Sequence, residues 1–323
     1  MERTVTAVSE GYRTLDVPVR GGRLRVGVWG PEDAGAPTIL AVHGVTASHR
    51  AWPMVAAALP GVRVIAPDLR GRGRSAHLPG PYGMPQHADD LAAVLDALGV
   101  RRTVVVGHSM GAFVSAVFAH RHADRVRSLV LIDGGLPLAA PPGLTGDALV
   151  RAILGPAAER LAMTFPDRAS YRAFWRAHPA FGEGWNDTMA QYVDYDLEGV
   201  EPELHPATAY AAVEEDTAEL HSGPSLVAAL DGLVHPTVFL RAPRGLMDEP
   251  PGLYSPDQVT VWSGRLPVLR AVEVDDVNHY TIIMSDHGVD AVTAEIRQAL
   301  AASGEPVGAV GGRGAEHPAE VHP

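Results

Sequence analysis

The chain has 323 residues, enough for one large α/β domain or a domain carrying an insertion. With 46% hydrophobic and 20% charged residues it reads as an ordinary globular protein, and a net charge of −12 argues against nucleic acid or anionic membrane as a partner. Cysteine is absent, which excludes disulfides, thiol catalysis and cysteine-ligated metal, and all 26 basic residues are arginine.

The N-terminus, "MERTVTAVSEGYRTLDVPV", is polar and lacks the apolar core of a secretory signal. No segment approaches the roughly 20 apolar residues of a membrane span. A cytoplasmic protein is therefore expected. "YRTLDVPV" and "LRVGVWG" flank Gly21-Gly22, a two-residue turn signal that predicts a hairpin. "TILAVHG", "VRVIAPD", "TVVVGHS" and "VRSLVLID" follow as short, almost continuous apolar runs. Such runs suit strands buried on both faces of a parallel sheet. Between them lie helical patterns. One runs from about Pro85 to Leu98, with Leu91, Val94, Leu95 and Leu98 on one face. Another follows Ser109, where Met110, Phe113, Val114, Val117 and Phe118 recur at three- and four-residue spacing. Alternating strands and helices predict an α/β fold with a doubly wound, mostly parallel sheet.

From about Leu136 to Gly232 no buried strand is apparent, only helical stretches broken by Pro and Gly. This segment holds nine of the nineteen aromatic residues. Strand-like runs return with "HPTVFLRA" and "LRAVEVDDV", followed by a helix carrying Val289, Val292, Ile296 and Leu300. The expected organisation is a core over 1–135 and 233–303, a helical cap inserted at 136–232, and a disordered Gly- and Pro-rich tail at 304–323.

Gly107-His108-Ser109-Met110-Gly111 fits G-x-S-x-G, with a valine run before it and an amphipathic helix after it. That strand–turn–helix setting is the one a nucleophile elbow requires. A serine hydroxyl needs a base to take its proton. In the order serine, acid, histidine, the base falls late, and His279 in "VDDVNHYTIIM" is the histidine in that position. For the acid, Asp248 in "PRGLMDEP" is the first candidate, Glu249 is its neighbour, and Asp133 at the end of "SLVLID" is the topological alternative. The oxyanion of acyl transfer needs backbone donors. Met110, next to the serine, supplies one N–H, and Val45 in "AVHGVTAS" is the natural second. As a group, the aromatics of the insertion suggest an apolar pocket, with His43, Phe174, Trp175, Trp185 and Tyr280 as candidate lining residues.

Two other motifs carry less. "GRGRSA" formally resembles a dinucleotide fingerprint, but Pro79, Gly80, Pro81, Gly83 and Pro85 leave no room for the helix it requires. Its arginines do not make a nucleic-acid patch in so acidic a chain. His120-x-His122 is not a helical metal pair.

"HGVTASHRAW", "DLRGRGRS", "GHSMG" and the late "NHY" together resemble the α/β-hydrolase-fold superfamily with an inserted helical cap, over roughly residues 24 to 302. The resemblance implies Ser109 as nucleophile, His279 as base and Val45 and Met110 as oxyanion donors. Many members carry a short Gly-x-x-Asp turn before the acid, whereas "RAPRGLMDEP" is longer. The expected activity is hydrolysis of an ester-type bond (carboxylester, lactone or thioester) in a small hydrophobic substrate, with no cofactor or metal implied. Carbon–carbon bond hydrolysis and cofactor-free perhydrolysis use the same groups, and a ligand-binding protein with little turnover is the non-enzymatic alternative.

Overall fold

A computed structural model of the protein describes residues 11–33, 35–139 and 143–304. The first two strands, β1 (Arg13–Val19) and β2 (Gly22–Trp29), form the expected hairpin. Val19 pairs with Gly22, so the turn is Arg20-Gly21 and Gly22 already belongs to the second strand, one residue off the sequence expectation. There follow β3 (Thr38–Val42), α1 (Pro53–Ala57), β4 (Arg63–Pro67), α2 (Met84–Ala97), β5 (Thr103–His108), α3 (Met110–Arg121) and β6 (Val126–Ile132). Strands β3, β4 and β5 have every residue buried, as their unbroken apolar runs require.

The chain then leaves the sheet for six helices: α4 (Gly146–Leu154), α5 (Pro156–Arg160), α6 (Arg168–Arg176), α7 (Asp187–Tyr195), α8 (Tyr210–Ser222) and α9 (Pro224–Asp231). Between α7 and α8 it forms a small antiparallel ribbon, β7 (Leu197–Glu198) with β8 (His205–Pro206), too short to leave a periodic signal in the sequence. It returns through β9 (Thr237–Arg241), α10 (Pro256–Arg265), β10 (Leu269–Glu273), α11 (Thr281–Met284) and α12 (Asp286–Ala302). The tail expected to be disordered lies, from residue 305 on, outside the described residues. Among the described residues no helix is long and apolar enough to cross a membrane.

The eight sheet strands are ordered β1-β2-β4-β3-β5-β6-β9-β10. Pairing is parallel from β4 to β10 and antiparallel at β1–β2 and β2–β4. Alternate side chains feed two apolar layers. Leu40, Val42, Ile65 and Val105 pack with α2, α3 and α9, whereas Ile39, Ala41, Val64, Val104 and Val106 pack with α1 and α12. From β3 the chain crosses to β4 on one side, and from β5 it crosses to β6 on the other. The segments leaving β3 and β5 therefore diverge, which opens a crevice at their carboxyl ends.

Helix α3 lies unusually close to that crevice. A Cβ on Gly111 would sit 2.1 Å from the Val42 carbonyl oxygen and 2.6 Å from that of His43. Only glycine lets the helix start so near β3. Gly111→Ala is accordingly expected to lose on the order of 3 kcal/mol of stability in urea unfolding; wild-type stability would show that α3 does not pack at this distance.

Candidate active site

Ser109 joins β5 to α3 with φ 55° and ψ −129°, a left-handed conformation that side chains other than glycine rarely adopt. Its N–H donates to the Ile132 carbonyl at 2.9 Å, which ties the turn to the end of β6. A Cβ on Gly107 would come within 2.5 Å of Ala112 Cα and Ser115 Oγ. The two glycines are thus needed for close approach, and the serine between them is turned out of the strand at the amino end of α3.

His279 lies between β10 and α11. Its neighbour Asn278 shapes the turn: the Asn278 side-chain oxygen accepts from the N–H groups of Tyr280 and Thr281, both at 2.9 Å. The His279 ring is 2.7 Å, Nδ1 to Oδ2, from Asp133, whose side chain is fully buried. Nδ1 donates to that carboxylate, which leaves Nε2 as the acceptor nitrogen. Asp133 follows β6 directly and also has a positive φ, 45°. Its other oxygen accepts the Ala242 N–H at 3.2 Å. The topological alternative is therefore the carboxylate that meets the histidine.

Asp248, the first candidate on sequence, has other partners. Its Oδ1 accepts from Arg244 Nε at 2.7 Å and from Asn278 Nδ2 at 2.9 Å. Partial burial pushes its carboxyl up, but those hydrogen bonds outweigh it and leave the group below the usual carboxylate range. Asp248 thus braces the residue beside His279 without touching the ring. Glu249 turns back on its own loop and accepts the Met247 N–H at 2.8 Å. The loop after β9 is long enough to fold on itself, so Asp248 and Glu249 are taken up by Arg244, Asn278 and Met247.

On the far side of the crevice, "HGVTAS" follows β3. Leu69 N–H donates to His43 Nε2 at 2.9 Å, so the His43 proton is on Nδ1, which donates to the Gly44 carbonyl at 2.8 Å. That carbonyl and the Val45 N–H share one planar peptide and point in opposite directions. His43 therefore fixes the aim of the Val45 N–H. It is fully buried and outside the cavity lining, so it is a support for the loop and not a pocket wall.

The cavity brings together Gly44, Val45, Ser109, Met110, Asp133 and His279. The helical segment contributes Ile153, Leu154, Ala157, Tyr192 and Leu220, and the cavity volume is about 50 Å³. Of the expected aromatic wall, only Tyr280 lines it. Trp175 is 2% exposed and turned into the helical segment, where its ring meets Phe174 and Phe181 edge-on and the Arg160 guanidinium lies over it. Trp185 packs on Phe181 under Arg176. The aromatics of α6 hold the insertion together because that amphipathic helix turns them inward. Burial pushes the Tyr280 hydroxyl up to about 12, and that of Tyr192 rises further. Among the described residues no three His, Cys, Asp or Glu side chains gather as a metal-binding group.

Residues 37–204, just over half of the chain, match the family described as alpha/beta hydrolase fold. The chain belongs to that family. Lipase LipV of Mycobacterium tuberculosis is 40% identical over 115 residues, which cover 36% of this chain and 43% of the lipase. The bifunctional esterase/perhydrolase DCH of Acinetobacter calcoaceticus is 35% identical over 157 residues, 48% of this chain and 55% of that protein. The matches thus span about half the length of these relatives. Among solved structures, E-2-(acetamidomethylene)succinate hydrolase superposes with a TM-score of 0.73 at 24% identity, covering 88% of this chain and 99% of the other, a likeness of fold.

Within this alpha/beta hydrolase, several supporting residues escape a motif search. His108 is buried and donates from Nε2 to the His279 carbonyl at 2.8 Å, linking the elbow to the histidine turn. In sequence it is only the variable position of G-x-S-x-G. Asp68 accepts from His49 Nδ1 at 2.7 Å and from Tyr195 Oη at 2.7 Å, joining the β3 loop to α7. "DLRGRGRS" was the available signal, although its partners lie far away in sequence.

Burial lowers His43 to about 4 and His108 well below its usual value, so both are neutral in the folded state. Unfolded histidine protonates near 6.5. The unfolded chain therefore binds more protons below that pH, and stability is lost as pH falls from about 6.5 towards 4. For His43 the loss is on the order of 3 kcal/mol. Urea unfolding from pH 7 to 4 is expected to show this slope, with His43→Gln flattening it; an unchanged slope in the variant would rule out a buried neutral His43.

Proposed function

We propose that the protein is a serine hydrolase that cleaves an ester-type bond through an acyl-enzyme on Ser109. The observation that carries this reading is the 2.7 Å bond from His279 Nδ1 to Asp133, made at the same cavity that Ser109 lines from its left-handed turn. In this reading His279 Nε2 takes the serine proton as Oγ attacks the acyl carbonyl. Asp133 holds the Nδ1–H tautomer and stabilises the imidazolium. The tetrahedral oxyanion is received by the N–H groups of Val45 and Met110, the latter at the amino end of the 12-residue helix α3. His279 then protonates the leaving group, and a water activated by the same nitrogen releases the acid.

The apolar lining, including Leu138, Ile153, Leu154 and Leu220, suits a hydrophobic acyl or alcohol group. One relative, epoxide hydrolase B of Mycobacterium tuberculosis, is 35% identical over 127 residues. Epoxide hydrolase chemistry uses a carboxylate to form the covalent ester, and the elbow here carries a hydroxyl.

The test is turnover of p-nitrophenyl esters of increasing acyl length, with several lactones and thioesters. Ser109→Ala is expected to reduce kcat by about 10⁶-fold and Asp133→Asn by about 10⁴-fold. Asp248→Asn stays far closer to wild type. A large loss in Asp248→Asn with little in Asp133→Asn would reverse the choice of acid, and turnover by Ser109→Ala would end the acyl-enzyme reading.

A further inference from the structure

We infer that Arg72 is a positioning residue for the oxyanion site, and that Asp216 of α8 makes the inserted helices part of that site. The inference rests on the reading that Val45 and Met110 receive the oxyanion.

Arg72 lies in the turn after β4 and is 0% exposed. An arginine offers five N–H donors in a rigid plane, and here all three guanidinium nitrogens have partners. Nε donates to the Val45 carbonyl at 2.8 Å. Nη1 donates to the Arg70 carbonyl at 2.9 Å and pairs with the Asp216 carboxylate. Nη2 reaches Met110 Sδ at 3.8 Å and the Ala212 carbonyl at 3.4 Å. One guanidinium thus grips both residues whose N–H groups face the proposed oxyanion. His43 fixes the peptide that ends at the Val45 N–H, and Arg72 fixes the peptide that follows Val45. Between them the orientation of Val45 is determined.

The electrostatics point the same way. Asp216 is also fully buried and accepts Gly83 N–H at 2.6 Å and His87 Nε2 at 3.0 Å. Burial pushes its carboxyl up, but Arg72 and His87 outweigh that and hold it down at about 2. Asp216 therefore stays ionised, with the Arg72 guanidinium against Val45 and Met110 and the carboxylate on α8. Buried ion pairs are commonly no better for stability than well-packed apolar groups of the same size. Stability alone gives no reason for this one. Developing negative charge on a substrate oxygen does, because a fixed dipole in a dry site needs no reorganisation when the charge forms.

The experiment compares wild type, Arg72→Met, and the charge-balanced double variant Arg72→Met/Asp216→Asn. The double variant carries the test if the single one, which strands Asp216, does not fold. Active sites are counted by fluorophosphonate labelling of Ser109, and kcat, KM and the Ki of an aryl trifluoromethyl ketone are measured per labelled site. The ketone adds to the serine and places an oxyanion in the site. The expected result is a loss of about 10- to 100-fold in kcat, matched by the same weakening of the ketone, with KM little changed. Per-site kcat and ketone affinity equal to wild type, with only the melting temperature lowered, would overturn the inference and leave Arg72 a folding residue. A change confined to KM would overturn it too. Failure of the underlying reading looks different: wild-type protein would then neither label at Ser109 nor turn over esters.

Discussion

The left-handed backbone at Ser109 is the constraint on which the rest of the site depends. Holding a non-glycine residue at φ 55° costs on the order of 1 to 3 kcal/mol, and the surroundings must over-determine it. They do so from three directions. Ser109 N–H is held by Ile132 at the end of β6, Gly111 is pressed against the end of β3, and His108 is bonded to the histidine turn beyond β10. Sheet, helix and late loop are thus referenced to one residue. A small displacement at any of the three would be felt by the other two.

Around this turn the fold buries several polar and charged pairs within an apolar core. Arg70 with Asp90, Arg72 with Asp216 and His49 with Asp68 are all nearly or fully enclosed. Each pair joins elements that apolar packing would leave free to slide. Arg70 fastens the turn after β4 to α2, Arg72 fastens it to α8, and Asp68 links the β3 loop to Tyr195 of α7. Because a buried charge tolerates few partners and few angles, such contacts fix geometry more strictly than leucine and valine can. The inserted helices rest on the sheet through these polar anchors as well as through their apolar faces.

Much of the sheet was legible in the sequence because central parallel strands are apolar throughout and helices α2, α3 and α12 keep a regular period. The elbow was legible because its glycines and serine are adjacent in the chain. The hairpin turn was displaced by one residue because two successive glycines fit either register. The partner of His279 was harder, since nothing in the composition of "VLID" or "LMDEP" says which carboxylate points inward. That depends on backbone angles at Asp133 and on Asp248 being captured by Arg244 and Asn278. The aromatic residues misled for a related reason: periodicity shows that Tyr171 and Trp175 share a face of α6, but not whether that face meets the cavity or the insertion's own interior. Arg72 was hidden because its value lies in partners as distant in sequence as Ala212 and Asp216.

The position of Asp133 also bears on how freely this protein can change. The carboxylate bonded to His279 sits at the rigid end of a central strand, so the loop from 242 to 255 does not have to present one. That loop supplies Leu246 and Leu253 to the cavity wall. Apart from Ala242, Arg244 and Asp248, which hold Asp133 and Asn278, its side chains can therefore vary by substitution without disturbing the bond that orients the histidine. Separating the orienting group from a wall of the cavity makes this loop a natural place for new selectivity to evolve.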